Sequence, residues 1–260
     1  MLRTLYNYRR YIFGTFWVDL KYRYSGTTLG FFWFLVNPMI EVLIYAVVFS
    51  QIITFRSGAE RGISYTIFLV SGLFPFIAFS QTINRGSKAI RTNALYMRRS
   101  LIPAEVFVFK ESLIAGFSLL VYLMFLLPLI VFTQNPVSWH LILWPILTIL
   151  LSLLGYGLSL PLANLSVLFP DLEEVVPVLL QLWRWTLPIM FSDENFPDGL
   201  RWFMSFNPPY YFIKSFRDIM INQRIPPVES WIIMIFWIIV TLIVGGLVTN
   251  RLRSDVKDLI

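Results

Sequence analysis

The sequence contains no cysteine and a single histidine, His140. This excludes disulfides, thiolate metal sites, a nucleophilic cysteine and any histidine-rich centre. Charge is also scarce. Only 14% of the 260 residues are Asp, Glu, Lys or Arg, against about 25% in a soluble domain. A chain so poor in charge cannot cover a water-facing surface. No G-x-x-x-x-G-K-[ST] phosphate loop occurs: Gly86-Ser87-Lys88 has Gln81 where the first glycine belongs, so the chain cannot be its own P-loop ATPase. H-E-x-x-H and G-x-S-x-G are missing as well, which removes the common zinc-protease and serine-hydrolase signatures. Arg3, Arg9, Arg10, Asp19, Lys21 and Arg23 interrupt the first stretch, so no cleavable signal is expected there.

What is present is apolar and comes in long blocks. Hydrophobic residues make up 57% and aromatics 17%. A helix needs roughly 20 mostly apolar residues to cross a bilayer. Spans are expected at 30–54, 65–84, 104–132, 138–168, 175–192 and 230–250, with a polar loop at 55–64. The fold class is therefore an all-α integral membrane protein of about six transmembrane helices, forming a single transmembrane domain over 1–260. Residues 1–25 read as an amphipathic interfacial helix, with Phe13, Phe16, Trp17, Leu20 and Tyr24 at helical spacing. Residues 193–229 mix Trp202, Phe206, Tyr210, Tyr211 and Phe212 with Arg201, Lys214, Arg217 and Asp218. The two pieces, about 196–206 and 208–222, are each too short to span. Asn207-Pro208-Pro209 between them is a good helix start. The segment is expected to form a re-entrant or interfacial helical hairpin.

Fourteen of the 21 basic residues fall on the side that holds both termini. The positive-inside bias places that side in the cytoplasm, and the net charge of +6 needs no nucleic-acid partner. Asn164-Leu165-Ser166 matches a glycosylation sequon but would sit at a cytoplasmic membrane edge. Two loops on the cytoplasmic side differ in sign. One carries Arg85, Lys88, Arg91, Arg98 and Arg99, the other Asp171, Glu173 and Glu174. Two opposite charge patterns on one face suit the choice of a protein partner. Glu41 and Arg184 fall within expected spans, where charge is costly. They either line or gate a hydrophilic route, with Trp33, Trp183 and Trp185 nearby in sequence, or pair with each other or with backbone and hold the bundle together. Lys21 and Arg23, at the end of the interfacial helix, suit the phosphate of a lipid headgroup.

The run Leu20-Lys21-Tyr22-Arg23-Tyr24-Ser25-Gly26-Thr27-Thr28-Leu29-Gly30-Phe31-Phe32-Trp33, with Asn37-Pro38 after it, resembles the permease subunit of type-2 ABC exporters of polysaccharide. That family includes the O-antigen, capsule and teichoic-acid exporters. Ser71-Gly72-Leu73-Phe74-Pro75-Phe76, Val176-Pro177 with Gln181, Pro188-Ile189-Met190-Phe191 and Asn207-Pro208 continue the likeness in order. The loop before the fifth span opens Pro170-Asp171 where many O-antigen and teichoic-acid members have Arg-Asp. The resemblance implies a homodimer paired with two copies of a separate ABC ATPase subunit. That partner would hold ATP and magnesium, with no cofactor, metal or catalytic residue in this chain. Lys88, Arg91, Arg98, Arg99, Asp171, Glu173 and Glu174 would dock on it. Lys21, Arg23, Leu29 and Gly30 would receive a lipid-linked polysaccharide from the bacterial inner membrane. Trp33, Glu41, Trp183, Arg184 and Trp185 would border the channel. The 193–229 hairpin would form a periplasmic gate through Asn207, Pro208, Tyr210 and Tyr211. Competing readings are a type-2 exporter of a lipid or small amphiphile and, from another class, a membrane-embedded prenyl-phosphate glycosyltransferase.

Overall fold

The computed structural model describes residues 2–22, 30–57, 59–99, 102–132, 138–190, 193 and 201–259. All regular structure among them is helical. Four helical stretches are long and apolar enough to cross a membrane: Tyr65–Thr92, Ala104–Pro128, Trp139–Leu168 and Val228–Leu259. The chain is a multi-pass membrane protein. Hydrocarbon offers backbone N–H and C=O groups no partners, so a helix, which pairs its own, is how such a sequence crosses.

The helices are α1 (Leu2–Asn7), α2 (Arg9–Tyr22), α3 (Trp33–Ser57), α4 (Ala59–Thr92), α5 (Ala94–Arg99), α6 (Ala104–Phe132), α7 (Trp144–Leu168), α8 (Leu172–Trp185), α9 (Arg201–Ser205), α10 (Pro208–Met220) and α11 (Val228–Leu259). Residues 55–64, expected as a polar loop, are helical through Ser57 and again from Ala59. Ala and Glu are good helix formers, and the helices carry on past the apolar stretch. α4 is the most enclosed of the four long helices and α11 the least. α4 packs on α3, α6, α7, α8 and α10, while α11 leans mainly on α7.

Lipid tails are as apolar as leucine, so burial alone does not hold helices together; close packing and interhelical hydrogen bonds do. Small residues supply both between α4 and α7. The Ser159 hydroxyl donates to the Thr82 carbonyl at 3.1 Å, and Ser166 donates to the Ser87 carbonyl. Asn164, the sequon residue, is buried and donates to the Thr249 hydroxyl at 3.0 Å, tying α7 to α11. Gly157 and Gly245 let these two helices touch backbone to backbone. A Cβ on Gly245 would lie 2.7 Å from the Gly157 carbonyl oxygen.

α2 is amphipathic and is docked on the bundle. Phe16 and Leu20 are buried with Phe34, Ile114 and Val121. Its Asp19 meets the buried ammonium of Lys110 on α6 at 2.6 Å. An unpaired buried charge costs several kcal/mol, so the ammonium needs this partner. The chain then turns into α3 through Gly30, whose φ of +50° lies in the left-handed region that only glycine adopts freely.

The fifth expected span, 175–192, holds α8, which has 14 residues. At 1.5 Å per residue it is about 21 Å long. It ends because the Thr186 hydroxyl and N–H turn back onto the Trp183 carbonyl and Pro188 lacks the N–H to continue.

The glycine contact makes a paired prediction. Gly245→Val should lower the stability of the detergent-purified protein by about 2–3 kcal/mol, because backbone cannot yield to the new side chain. Gly246→Ala, one residue on and with open space around it, should leave the thermal transition unchanged.

Candidate functional site

Two groups of the predicted site residues gather, one at each end of the bundle. At one end, α4 leads through Asn93 into α5, and α7 leads into α8. Arg91 Nη1 donates to Glu173 Oε1 at 2.9 Å, so the basic segment and the acidic loop, far apart in sequence, share one surface. Lys88 is half-buried on α4. Arg98 and Arg99 are exposed in the last turn of α5, and Asp171 and Glu174 are exposed around the start of α8. Glu173 and Glu174 sit in the first turn of α8, where the helix dipole favours negative charge. Leu95, Tyr96 and Phe169 stand exposed beside them, at 70%, 66% and 60%.

At the other end, the close of α8 meets the start of α10. Trp183 Nε1 donates to Asn207 Oδ1 at 2.8 Å, and Asn207 Nδ2 donates to the Thr186 hydroxyl at 3.2 Å. Asn207 is thus a buried clasp between the two segments. Its position just before Pro208 makes it the first residue ahead of α10, and the extended backbone there leaves its side chain free to reach α8. Trp183 stacks edge-on against Phe79 of α4. Tyr210 donates to Asp193 Oδ2 at 2.6 Å, and Tyr211 donates to the Ser205 carbonyl. Burial, then Asp193, raises the Tyr210 hydroxyl above its ordinary pKa.

Two residues that matter here are absent from the sequence-derived candidates. Arg217 is buried, donates from Nη2 to the Ile189 carbonyl at 2.9 Å and lies 3.7 Å over the Phe68 ring. Burial pushes its guanidinium down to about 10, with Asp193, Tyr210 and Tyr65 pulling the other way. It stays charged at neutral pH, so the carbonyl and the ring face must answer its charge. Its neighbour Asp218 is also buried and holds Arg224 at 2.7 Å and the Asn222 amide at 2.8 Å. A signal existed: Arg217 falls four residues after Ile213, on the same stripe as Phe212, Phe216 and Met220, and a charge on an apolar stripe needs a partner.

The other candidates are dispersed. Glu41 is half-buried on α3 and hydrogen-bonds to Tyr122. No ion pair joins it to Arg184 among the described residues. Arg184 packs 5.6 Å from the Trp185 ring, and its Nε is buried without a partner. Trp185 is exposed, and Trp33 is half-buried at the first residue of α3. Lys21 is exposed at the end of α2, Gly30 makes the turn described above, and Arg23 and Leu29 lie outside the described residues. Among the described residues, no group of three or more His, Cys, Asp or Glu side chains could hold a metal.

The ABC-2 type transporter family profile covers residues 12–221. The chain belongs to this family. Similar proteins include the O-antigen export system permease protein RfbA of Klebsiella pneumoniae, 27% identical over 246 residues, covering 93% of this chain and 92% of that protein. RfbA of Myxococcus xanthus is 28% identical over 88% of this chain and 87% of its own length. The polysialic acid transport protein KpsM of Escherichia coli is 26% identical over 91% of each. ABC-2 permease subunits are transport components.

The clasp can be opened by one substitution. Asn207→Ala would strand the half-buried Trp183 donor, at a cost of about 1–3 kcal/mol. A single cysteine placed at buried Met204 should then react with an impermeant thiol reagent roughly tenfold faster than in the parent. The chain has no native cysteine to confuse the assay.

Proposed function

We propose that this chain is the channel-forming subunit of an ATP-driven exporter that moves a lipid-linked polysaccharide from the cytoplasm outward across the bacterial inner membrane. The observation that carries the reading is the joining of the end of α4, through Arg91, to the Asp171–Glu174 segment that opens α8, with α5 following α4 and Leu95, Tyr96 and Phe169 bared. A chain with no phosphate-binding loop needs energy from elsewhere, and this surface suits a docked ATPase that carries ATP and magnesium. The relatives aligned along about nine-tenths of the chain are named for O-antigen export and polysialic acid transport, which favours a glycan over a small amphiphile.

In this reading both termini are cytoplasmic. α3 and α8 join the four long helices as the first and fifth spans, with 186–190 continuing the crossing after α8. Two copies of the chain meet around the channel, and two ATPase subunits sit beneath. Exposed stripes support the pairing: Ile40, Leu43, Ile44 and Val47 on α3, and Val175, Val178, Leu179 and Leu182 on α8. Each stripe follows helical spacing and suits a second copy better than a wet channel. Lys21 and Arg23 attract the carrier phosphate near Leu29 and Gly30. Trp33, Glu41, Trp183, Arg184 and Trp185 border the route. α9 and α10 dip into the outer leaflet and close the exit, with Asn207, Pro208, Tyr210 and Tyr211 at the turn between them; residues 194–200 of the expected hairpin lie outside the described residues. Glycan slides past aromatic faces because many weak contacts hold it without stalling it.

Reversing the exposed acids, Asp171→Lys with Glu174→Lys, should cut co-purification of the ATPase subunit about tenfold and surface glycan with it, since like charges across an interface cost several kcal/mol. Unchanged assembly and export would remove the docking assignment. Unchanged surface glycan after deletion of the whole chain would remove the substrate class.

A further inference from the structure

Beneath α11 lies a cavity of about 210 Å³ that plays no part in the route described above. Its walls come from α5, the start of α6, the end of α7 and the end of α11. Met97, Ile102 and Val256 give it apolar sides, while Arg98, Arg253 and Lys257 bring three cations to it. The one carboxylate present, Glu105, is buried and already committed, accepting from Arg253 Nη2 at 2.6 Å. Arg98 and Lys257 make no ion pair among the described residues. Three cations against one carboxylate leave the cavity with an excess positive charge that an anion would answer.

The depth of the cavity narrows the anion. α11 has 32 residues and is therefore about 48 Å long, well beyond a hydrocarbon core of about 30 Å. Its apolar run ends before Asn250 and Arg251, so Arg253, Val256 and Lys257 lie in the first turns outside the core. Arg253 is thus in the headgroup layer, about 5–8 Å thick on each side, and Lys257, about 10 Å out along the helix, stands at its water-facing edge. On α6, Glu105 precedes the long apolar stretch by two turns, which sets the same level. Asn164 and Thr249, bonded to each other, line the cavity at its junction with the bundle. An opening with apolar sides and a cationic mouth at this depth fits a lipid with its phosphate among the cations and its first methylenes along Met97, Ile102 and Val256. Basic clefts between helices at the membrane surface recognise anionic headgroups in this manner.

We infer that the cleft between α5, α6, α7 and α11 is a binding site for the phosphate-bearing headgroup of a membrane lipid. It joins the C-terminal turns of α11 to α5, so a bound lipid would brace the helix that carries part of the charged platform. The inference needs the depth of the cleft and not the identity of the exported substrate.

The test uses the full chain purified in neutral detergent, with thermal unfolding followed as lipid is added. Phosphatidylglycerol should raise the transition temperature with saturation, and phosphatidylcholine should do so far less. Arg98→Gln with Lys257→Gln removes both unpaired cations and spares the Glu105–Arg253 pair. Apparent affinity for phosphatidylglycerol should fall roughly thirtyfold, at about 1 kcal/mol per cation near a membrane surface. A farnesyl diphosphate titration separates the sources. Tighter binding than phosphatidylglycerol, lost in the same double variant, assigns the site to a carrier headgroup, and weaker binding assigns it to bulk phospholipid. Inorganic phosphate alone should stabilise little, because it leaves the apolar walls bare. Equal stabilisation by phosphatidylcholine, or an unchanged phosphatidylglycerol response in the double variant, would overturn the site.

Discussion

A polar group that enters the hydrocarbon costs free energy unless it finds a partner inside the protein, and this constraint shapes the whole molecule. The backbone meets it by staying helical. Side chains meet it by bonding locally or across a close helix contact: Ser159 to Thr82, Ser166 to Ser87, Asn164 to Thr249. Those contacts require helices near enough for backbone to touch side chain, which is why Gly86, Gly155, Gly157 and Gly245 stand at the crossings. A hydrophobic residue at any of them would push the helices apart and leave the hydroxyls nothing to reach.

Charge obeys the same constraint by moving to the ends. Toward the end of the bundle that holds α5, Lys110 pairs with Asp19, Arg253 with Glu105 and Arg91 with Glu173. Each pair joins elements distant in sequence: α6 with α2, α11 with α6, α4 with α8. At the opposite end, Arg217 and Asp218 are buried side by side and bonded outward, one to the Ile189 carbonyl and the other to Arg224. Little charge remains between the two clusters. The result is a bundle with a firm apolar middle and two polar ends held by specific geometry. Such a body can pass force from a platform at one end to a clasp at the other, because a close-packed interior transmits strain.

The sequence made the class of the protein plain. Long apolar blocks and scarce charge are sufficient for a helical membrane protein. Pairing was far less legible. The Arg91–Glu173 contact spans 82 residues, and nothing local in either loop names the other. Arg253 and Glu105 stand 148 residues apart. Asn207 was legible as a helix start because of the prolines after it, but its bonds to Trp183 and Thr186 depend on how α8 ends. Glu41 and Arg184 drew attention as lone charges in apolar surroundings, yet they do not meet; Tyr122 takes the first. Arg217 was hidden because the segment around it carries other charges, and only the helical register of α10 shows that it shares a stripe with Phe212 and Phe216.

The central claim is that this bundle, driven by a separate ATPase, carries glycan across the membrane. The most direct measurement reconstitutes the chain with its ATPase subunit in proteoliposomes and supplies lipid-linked polysaccharide on the ATPase side. Protection of the glycan from an added glycosidase then reports its side. The account predicts that ATP and magnesium shift glycan from accessible to protected, and that liposomes with the ATPase alone show no shift. Movement without ATP, or ATP-driven movement of a small amphiphile with the glycan left behind, would contradict it.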